Sequence, residues 1–203
     1  MTLVKLQEIH ARDMRNRPRA NWNALVAATP NGVDLAVREH RVSLRLWLNR
    51  LKCHIPSRVS DGEVVLDCLL DWWKQWLPDL KGFADFDLLT MPESQISVAV
   101  KMFEDLQNRR VRTKPFRTFG PVATAKTLMA INPDVFPAWD NTIAKKIYGG
   151  KTAEQYREHL GETQRFAQRI FTNKKELDIL EPSTRIGVGK LIDEVLYWVV
   201  SVN

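Results

Sequence analysis

Apolar residues recur along this chain at intervals of three and four, and no stretch of six or more residues alternates apolar with polar. Such a pattern buries stripes on helices rather than faces of sheets, so the chain is expected to be all-α, a bundle of about eight to ten helices. Val37, Leu44, Trp47, Leu48 and Leu51 share a face between Asp34, read as an N-cap, and Lys52. The run Val64–Leu77, VVLDCLLDWWKQWL, reads as a very apolar helix stopped by Pro78. Ile96, Ala99, Val100, Phe103 and Leu106 line a third helix after Pro92-Glu93. Pro121 opens a helix that Asn132-Pro133 ends, and Asn141–Tyr148 is ended by Gly149-Gly150. Further helices are expected over Thr152–Ile170, briefly over Lys174–Leu180, and from Gly189 to Val200.

With 203 residues the chain suits one domain, or one domain with two lobes. A hydrophobic share of 44% against 27% charged excludes a disordered chain. No run approaches the roughly 18 apolar residues of a membrane helix, and the N-terminal segment has no uninterrupted apolar core of the secretory kind. Two cysteines, Cys53 and Cys68, build no disulfide framework and suit a reducing cytoplasm.

The net charge of +6 is unevenly spread. Residues 1–60 carry 11 Lys+Arg against 4 Asp+Glu, residues 61–100 carry 2 against 8, and residues 101–126 carry 7 against 2. Two basic blocks around an acidic one point to a polyanion partner, nucleic acid first. Two features concentrate that charge. On a helix over 34–52, Arg38, Arg41, Arg45 and Lys52 fall within about 60° of one another at roughly 100° per residue, a row that can follow a phosphate backbone. The run from Arg109 to Phe119 packs Arg109, Arg110, Arg112, Lys114 and Arg117 with Phe116 and Phe119 into a loop leading to a helix. The cations would bind phosphates, and Phe116 or Phe119 would stack on or wedge beside a base; the alternative, favoured for Phe119 beside Gly120-Pro121, is that the phenylalanines anchor the loop in the core.

The stretch from Thr118 to Gly150 carries the chemistry. A Gly120-Pro121 turn opens one helix, a proline-rich crossing follows, and Asp140 stands at the start of the next helix. Free amides at a helix N-terminus favour a carboxylate, so Asp140 is a natural N-cap and also a candidate reacting acid. The segments Leu128-Met129-Ala130-Ile131, Pro133 and Pro137-Ala138-Trp139-Asp140-Asn141-Thr142-Ile143 resemble the helix-hairpin-helix DNA glycosylase superfamily. Within it, a bacterial branch shares the Lys-x-Leu, Asn-Pro-Asp, Phe-Pro and Trp-Asp pattern, here Lys126 to Leu128, Asn132 to Asp134, Phe136-Pro137 and Trp139-Asp140.

That resemblance implies the two-lobed glycosylase fold with a cleft near residues 118–143, DNA as partner, and no cofactor. It implies base extrusion and cleavage of the N-glycosidic bond of a damaged or modified base, with Asp140 as the essential carboxylate. Lyase-competent members carry a lysine where this chain has Val122. Lys126 lies one turn further along nearly the same helix face, so a monofunctional enzyme is implied unless Lys126 reaches back.

A second glycine pattern, Ile186-Gly187-Val188-Gly189-Lys190, resembles a DNA-backbone-binding hairpin and offers amides to a phosphate through Gly187, Gly189 and Lys190, while Gly120 of the first hairpin is a further expected nucleic-acid contact. Leu191 after Lys190 excludes a P-loop. Cys53-His54 lacks a second ligand pair, and His10, His40 and His159 lack ligand spacing, so no metal is expected. Asp67 and Asp71 read as the exposed edge of a core helix. The competing readings are a non-enzymatic nucleic-acid-binding or protein-interaction module that keeps the fold without the chemistry, and a binder of an acidic partner.

Overall fold

The computed structural model describes residues 20–57, 59–112, 115–171 and 187–202. Among these the chain is mostly helical, with eight helices and one two-stranded hairpin. In chain order they are α1 (Ala20–Ala28), α2 (Arg38–Arg50), α3 (Val59–Lys81), α4 (Glu93–Asn108), β1 (Arg110–Arg112), β2 (Arg117–Thr118), α5 (Pro121–Ile131), α6 (Asn141–Tyr148), α7 (Ala153–Ile170) and α8 (Val188–Val202). No helix among the described residues is long and apolar enough to cross a membrane. The brief helix expected over Lys174–Leu180, and Lys114, lie outside the described residues.

The amphipathic helix α4 is the axis of the core. Ile96, Ala99, Val100, Phe103 and Leu106, the predicted stripe, are all buried, and α4 packs against α3, α5 and α7. Phe103 stacks on Tyr156 of α7, with centroids 4.1 Å apart, and meets Trp139 edge-on at 5.7 Å. On the N-terminal side Trp22 of α1 meets Trp47 of α2 edge-on at 5.8 Å. Such aromatic contacts bury large areas with defined geometry.

Four local expectations differ from the structure. The helix after Asp34 starts at Arg38 with Val37 as its cap. Asp34 instead closes a turn, its Oδ1 accepting from Ala36 N at 2.8 Å, which delays the helix by three residues. Pro78 does not stop α3, which runs on to Lys81. Pro78 and Lys74 both face solvent, so the bond proline forfeits leaves a carbonyl that water can satisfy, while Leu77 and Leu80 keep their packing on the core. The basic run after Arg109 is a hairpin, not a loop: Arg110 pairs with Thr118 and Arg112 with Arg117, the register slipping between them. Val111 and Phe119 pin this hairpin into the core. The helix read from Val64 starts five residues earlier, at Val59, whereas the last helix, expected from about Gly189, starts at Val188.

Helix α5 and the crossing after it follow their sequence signals. Gly120 adopts φ +85° as the cap, Pro121 occupies the first turn, and Asn132 ends the helix. Asn132 then organises the crossing: its carbonyl accepts from Phe136 N at 3.0 Å and its side chain from Asp134 N at 3.2 Å. Val135, Phe136, Ala138 and Trp139 are buried, so this connection runs through the core.

Candidate functional site

The crossing delivers Asp140 to the first turn of α6. Its Oδ1 accepts from Thr142 N at 2.7 Å and from Ile143 N at 2.8 Å. The carboxylate is therefore an N-cap, favoured by the positive end of the helix dipole. It is half-buried, and among the described residues Oδ2 makes no hydrogen bond. The cap fixes the group without consuming it.

Two glycines bring α8 against the crossing. A Cβ on Gly187 would fall inside the Pro133–Asp134 peptide, and one on Gly189 would stand 2.7 Å from the Phe136 carbonyl carbon. Lys190 N then donates to Pro133 O at 3.1 Å. The Gly-Val-Gly pattern thus serves backbone-on-backbone packing, and the Lys190 amide is occupied within the protein. Lys190 itself is buried, with Nζ 2.8 Å from Glu194 Oε1 and 3.5 Å from Asp193 Oδ2.

Asp193 is the site residue that sequence reasoning missed. Burial pushes its carboxyl above the ordinary value; Lys190 and Lys126 oppose that rise, while Glu194 and Asp140 reinforce it. Asp193 therefore lies within electrostatic reach of both Lys126 and Asp140, which come from separate elements. The signal was present as Lys190-x-x-Asp193-Glu194, a lysine facing carboxylates at helical spacings. What joins it to Asp140 is tertiary.

Half-buried Lys126 also acts on Cys53, whose thiol burial pushes up and the lysine charge holds down. Lys126 is thus within electrostatic reach of both the turn after α2 and Asp193 of α8. A separate hollow of about 480 Å³ beside α6 and α7, lined by Tyr148, Glu162, Phe166 and Leu196 among others, includes none of the predicted site residues.

The predicted phosphate-gripping cations divide. Arg109 donates to Asp105 at 2.9 Å and to Gln75, and Arg112 lies 3.4 Å from Asp61. Arg38 pairs with Glu63 at 2.7 Å on the surface. Arg41 is buried and donates to the carbonyls of Leu35 and Ala36. Arg45 packs its guanidinium over Gly62, where a Cβ would collide with it. Lys52 lies past the end of α2. Of the row, Arg38 and Arg41 are therefore spent on the protein's own acceptors. Arg110 and Arg117 remain exposed on the hairpin, Arg110 5.1 Å from the Phe116 ring centroid.

Arg41→Ala leaves the buried Leu35 carbonyl without its donor and is expected to lower stability by about 1–3 kcal/mol in chemical denaturation.

The chain matches no protein-family model, no curated protein and no solved structure.

Proposed function

We propose that this protein binds DNA and cleaves the N-glycosidic bond of a damaged or modified base, with Asp140 as the essential carboxylate. The observation that carries the reading is Asp140 itself: a carboxylate tethered through one oxygen to a helix N-terminus, the other oxygen unbonded among the described residues. Lys126 and Asp193 within electrostatic reach supply a cation and a second acid. Two carboxyl groups in different surroundings are the usual basis for dividing acid and base roles. In this scheme Asp193, its acid form favoured by burial, donates a proton to the leaving base. The C1′–N electron pair departs with that base. A water oxygen bonds to C1′, and its proton passes to Asp140, whose charge also stabilises the oxocarbenium-like transition state. Lys126 contributes a positive charge against the DNA backbone.

The test is a panel of duplexes carrying different base lesions, assayed for base release and, with borohydride, for trapping at Lys126. Asp140→Asn keeps an N-capping side chain and should fold normally. It is expected to reduce base release by about 100-fold or more. Undiminished release by this variant would eliminate the mechanism.

A second reading is favoured by one specific observation: Arg41, Arg109, Arg112 and Lys190 are engaged with internal partners rather than a free basic groove. It makes the protein a non-enzymatic module that keeps the fold without catalysis and binds a protein partner rather than DNA. The absence of both duplex binding at physiological salt and base release on any lesion selects it.

A further inference from the structure

Helix α2 ends in an unusual turn. Cys53 N donates to Leu48 O at 3.0 Å and Lys52 N to Asn49 O at 3.0 Å, the paired closure that normally puts glycine at the left-handed position. Here that position is Lys52, at φ 58°, and His54 two residues on is also left-handed, at φ 54°. Both side chains are exposed. The turn is held rigidly: the Asn49 side chain accepts from Ile55 N at 2.7 Å and donates to Ile55 O at 3.0 Å. A side chain kept where glycine would be less strained signals a use for that side chain.

The hairpin lies alongside. Arg117 donates to the Cys53 carbonyl at 3.4 Å, tying β2 to the turn. Phe116, just before β2, is 64% exposed, an unusual state for a large aromatic, while Val111 and Phe119 fix the hairpin base in the core. Arg110 caps one face of the Phe116 ring. Cations and a solvent-exposed aromatic face therefore share one edge, formed by two segments that are each held from beneath.

We propose that this edge is a docking surface for single-stranded DNA, with a base stacked on Phe116 and phosphates held by Lys52, Arg110 and Arg117. Charge selects a polyanion, and the ring selects one with unstacked bases, because bases in an intact duplex already stack on each other. The inference rests on the DNA-binding half of the reading above and extends it to a strand opened beside the reacting nucleotide.

The experiment is fluorescence anisotropy with a labelled oligothymidylate, inorganic polyphosphate serving as the charge-only competitor, on the full chain. Phe116→Ala should weaken oligothymidylate binding about 10-fold and leave both polyphosphate binding and Tm unchanged, whereas Phe116→Trp should retain affinity. Lys52→Gly should raise Tm by about 2–4 °C. The same change should weaken binding and lower the salt slope by about one. Oligothymidylate affinity unchanged in Phe116→Ala, or lost in step with polyphosphate affinity, overturns the proposal, as does unchanged affinity in Lys52→Gly. Base release by the wild type alongside an indifferent Phe116→Ala sinks only this surface. A Phe116-dependent interaction with no base release on any lesion sinks only the glycosylase reading.

Discussion

Gly187→Ala is expected to lower stability by about 2–3 kcal/mol, which for a chain of this length is a fall in Tm of roughly 5–10 °C. The reason is steric. The added methyl would enter the Pro133–Asp134 peptide, and what it meets is backbone rather than the tip of a flexible side chain. Relief requires either α8 to retreat or the crossing to bend, and both lose the bond from Lys190 N to Pro133 O. Gly149→Ala is the control. A Cβ there meets nothing within 4 Å, so only the left-handed φ of +70° is penalised, at about 1 kcal/mol. Thermal melts of the two variants give the comparison. The same experiment judges the phosphate-loop expectation for Gly187 and Gly189: if those glycines chiefly approached DNA, Gly187→Ala would leave Tm intact and weaken binding.

The contrast between these glycines explains what was legible in the sequence. Gly120 was readable because its task is local: a proline follows it, and the pair spells a helix start. Gly149 was readable for the same reason, as the left-handed end of α6 at φ 70°. Gly187 and Gly189 were not, because glycine permits close approach to any backbone, a DNA phosphate or the protein's own crossing, and local sequence carries no record of which. Helices α4 and α5 were legible from apolar spacing and stop signals. The hairpin was not, since strands of three and two residues have no period to detect.

The cations follow the same logic. An arginine row at helical spacing is visible, but Arg41 turns inward because the preceding turn presents the Leu35 and Ala36 carbonyls to it. Asp140 was legible as a cap because capping is local, whereas Asp193 depends on which helix the crossing meets. The candidate site is therefore half readable: the acid on its own helix start, without the second carboxyl that packing sets near it.

Stability is expected to fall by about 3 kcal/mol as the pH drops from 7 to 4, through His159 alone. This imidazole is fully buried on α7. Nε2 lies 3.2 Å from the Ala138 carbonyl and Nδ1 3.2 Å from the Tyr148 hydroxyl. A neutral ring with its proton on Nε2 satisfies both, donating to Ala138 and accepting from the phenol. Burial pushes its pKa down to about 4, the bond to Ala138 opposing only in part. Burial also pushes the Tyr148 hydroxyl up to about 12, helped by Glu162 and Glu158, so it remains a donor.

The sign follows from proton counting. Between pH 6.5 and 4 the unfolded chain binds a proton at this histidine and the folded chain does not. Stability is whole above the unfolded value, declines as pH falls through that window, and stops declining from this cause below about 4. Asp193 contributes in the opposite sense, since a raised carboxyl costs stability as pH rises through the unfolded carboxylate range. The wild type is therefore best compared with His159→Gln at each pH. Their difference in unfolding free energy, from denaturant titrations at pH 7, 6, 5 and 4, should shrink by about 2 kcal/mol between pH 7 and 5. A difference that stays constant over that range would mean the ring is solvated or already charged. Because Ala138 lies two residues before Asp140, loss of this bond should loosen the cap as well, so weaker amide-exchange protection at Thr142 and Ile143 at low pH should accompany the fall in stability.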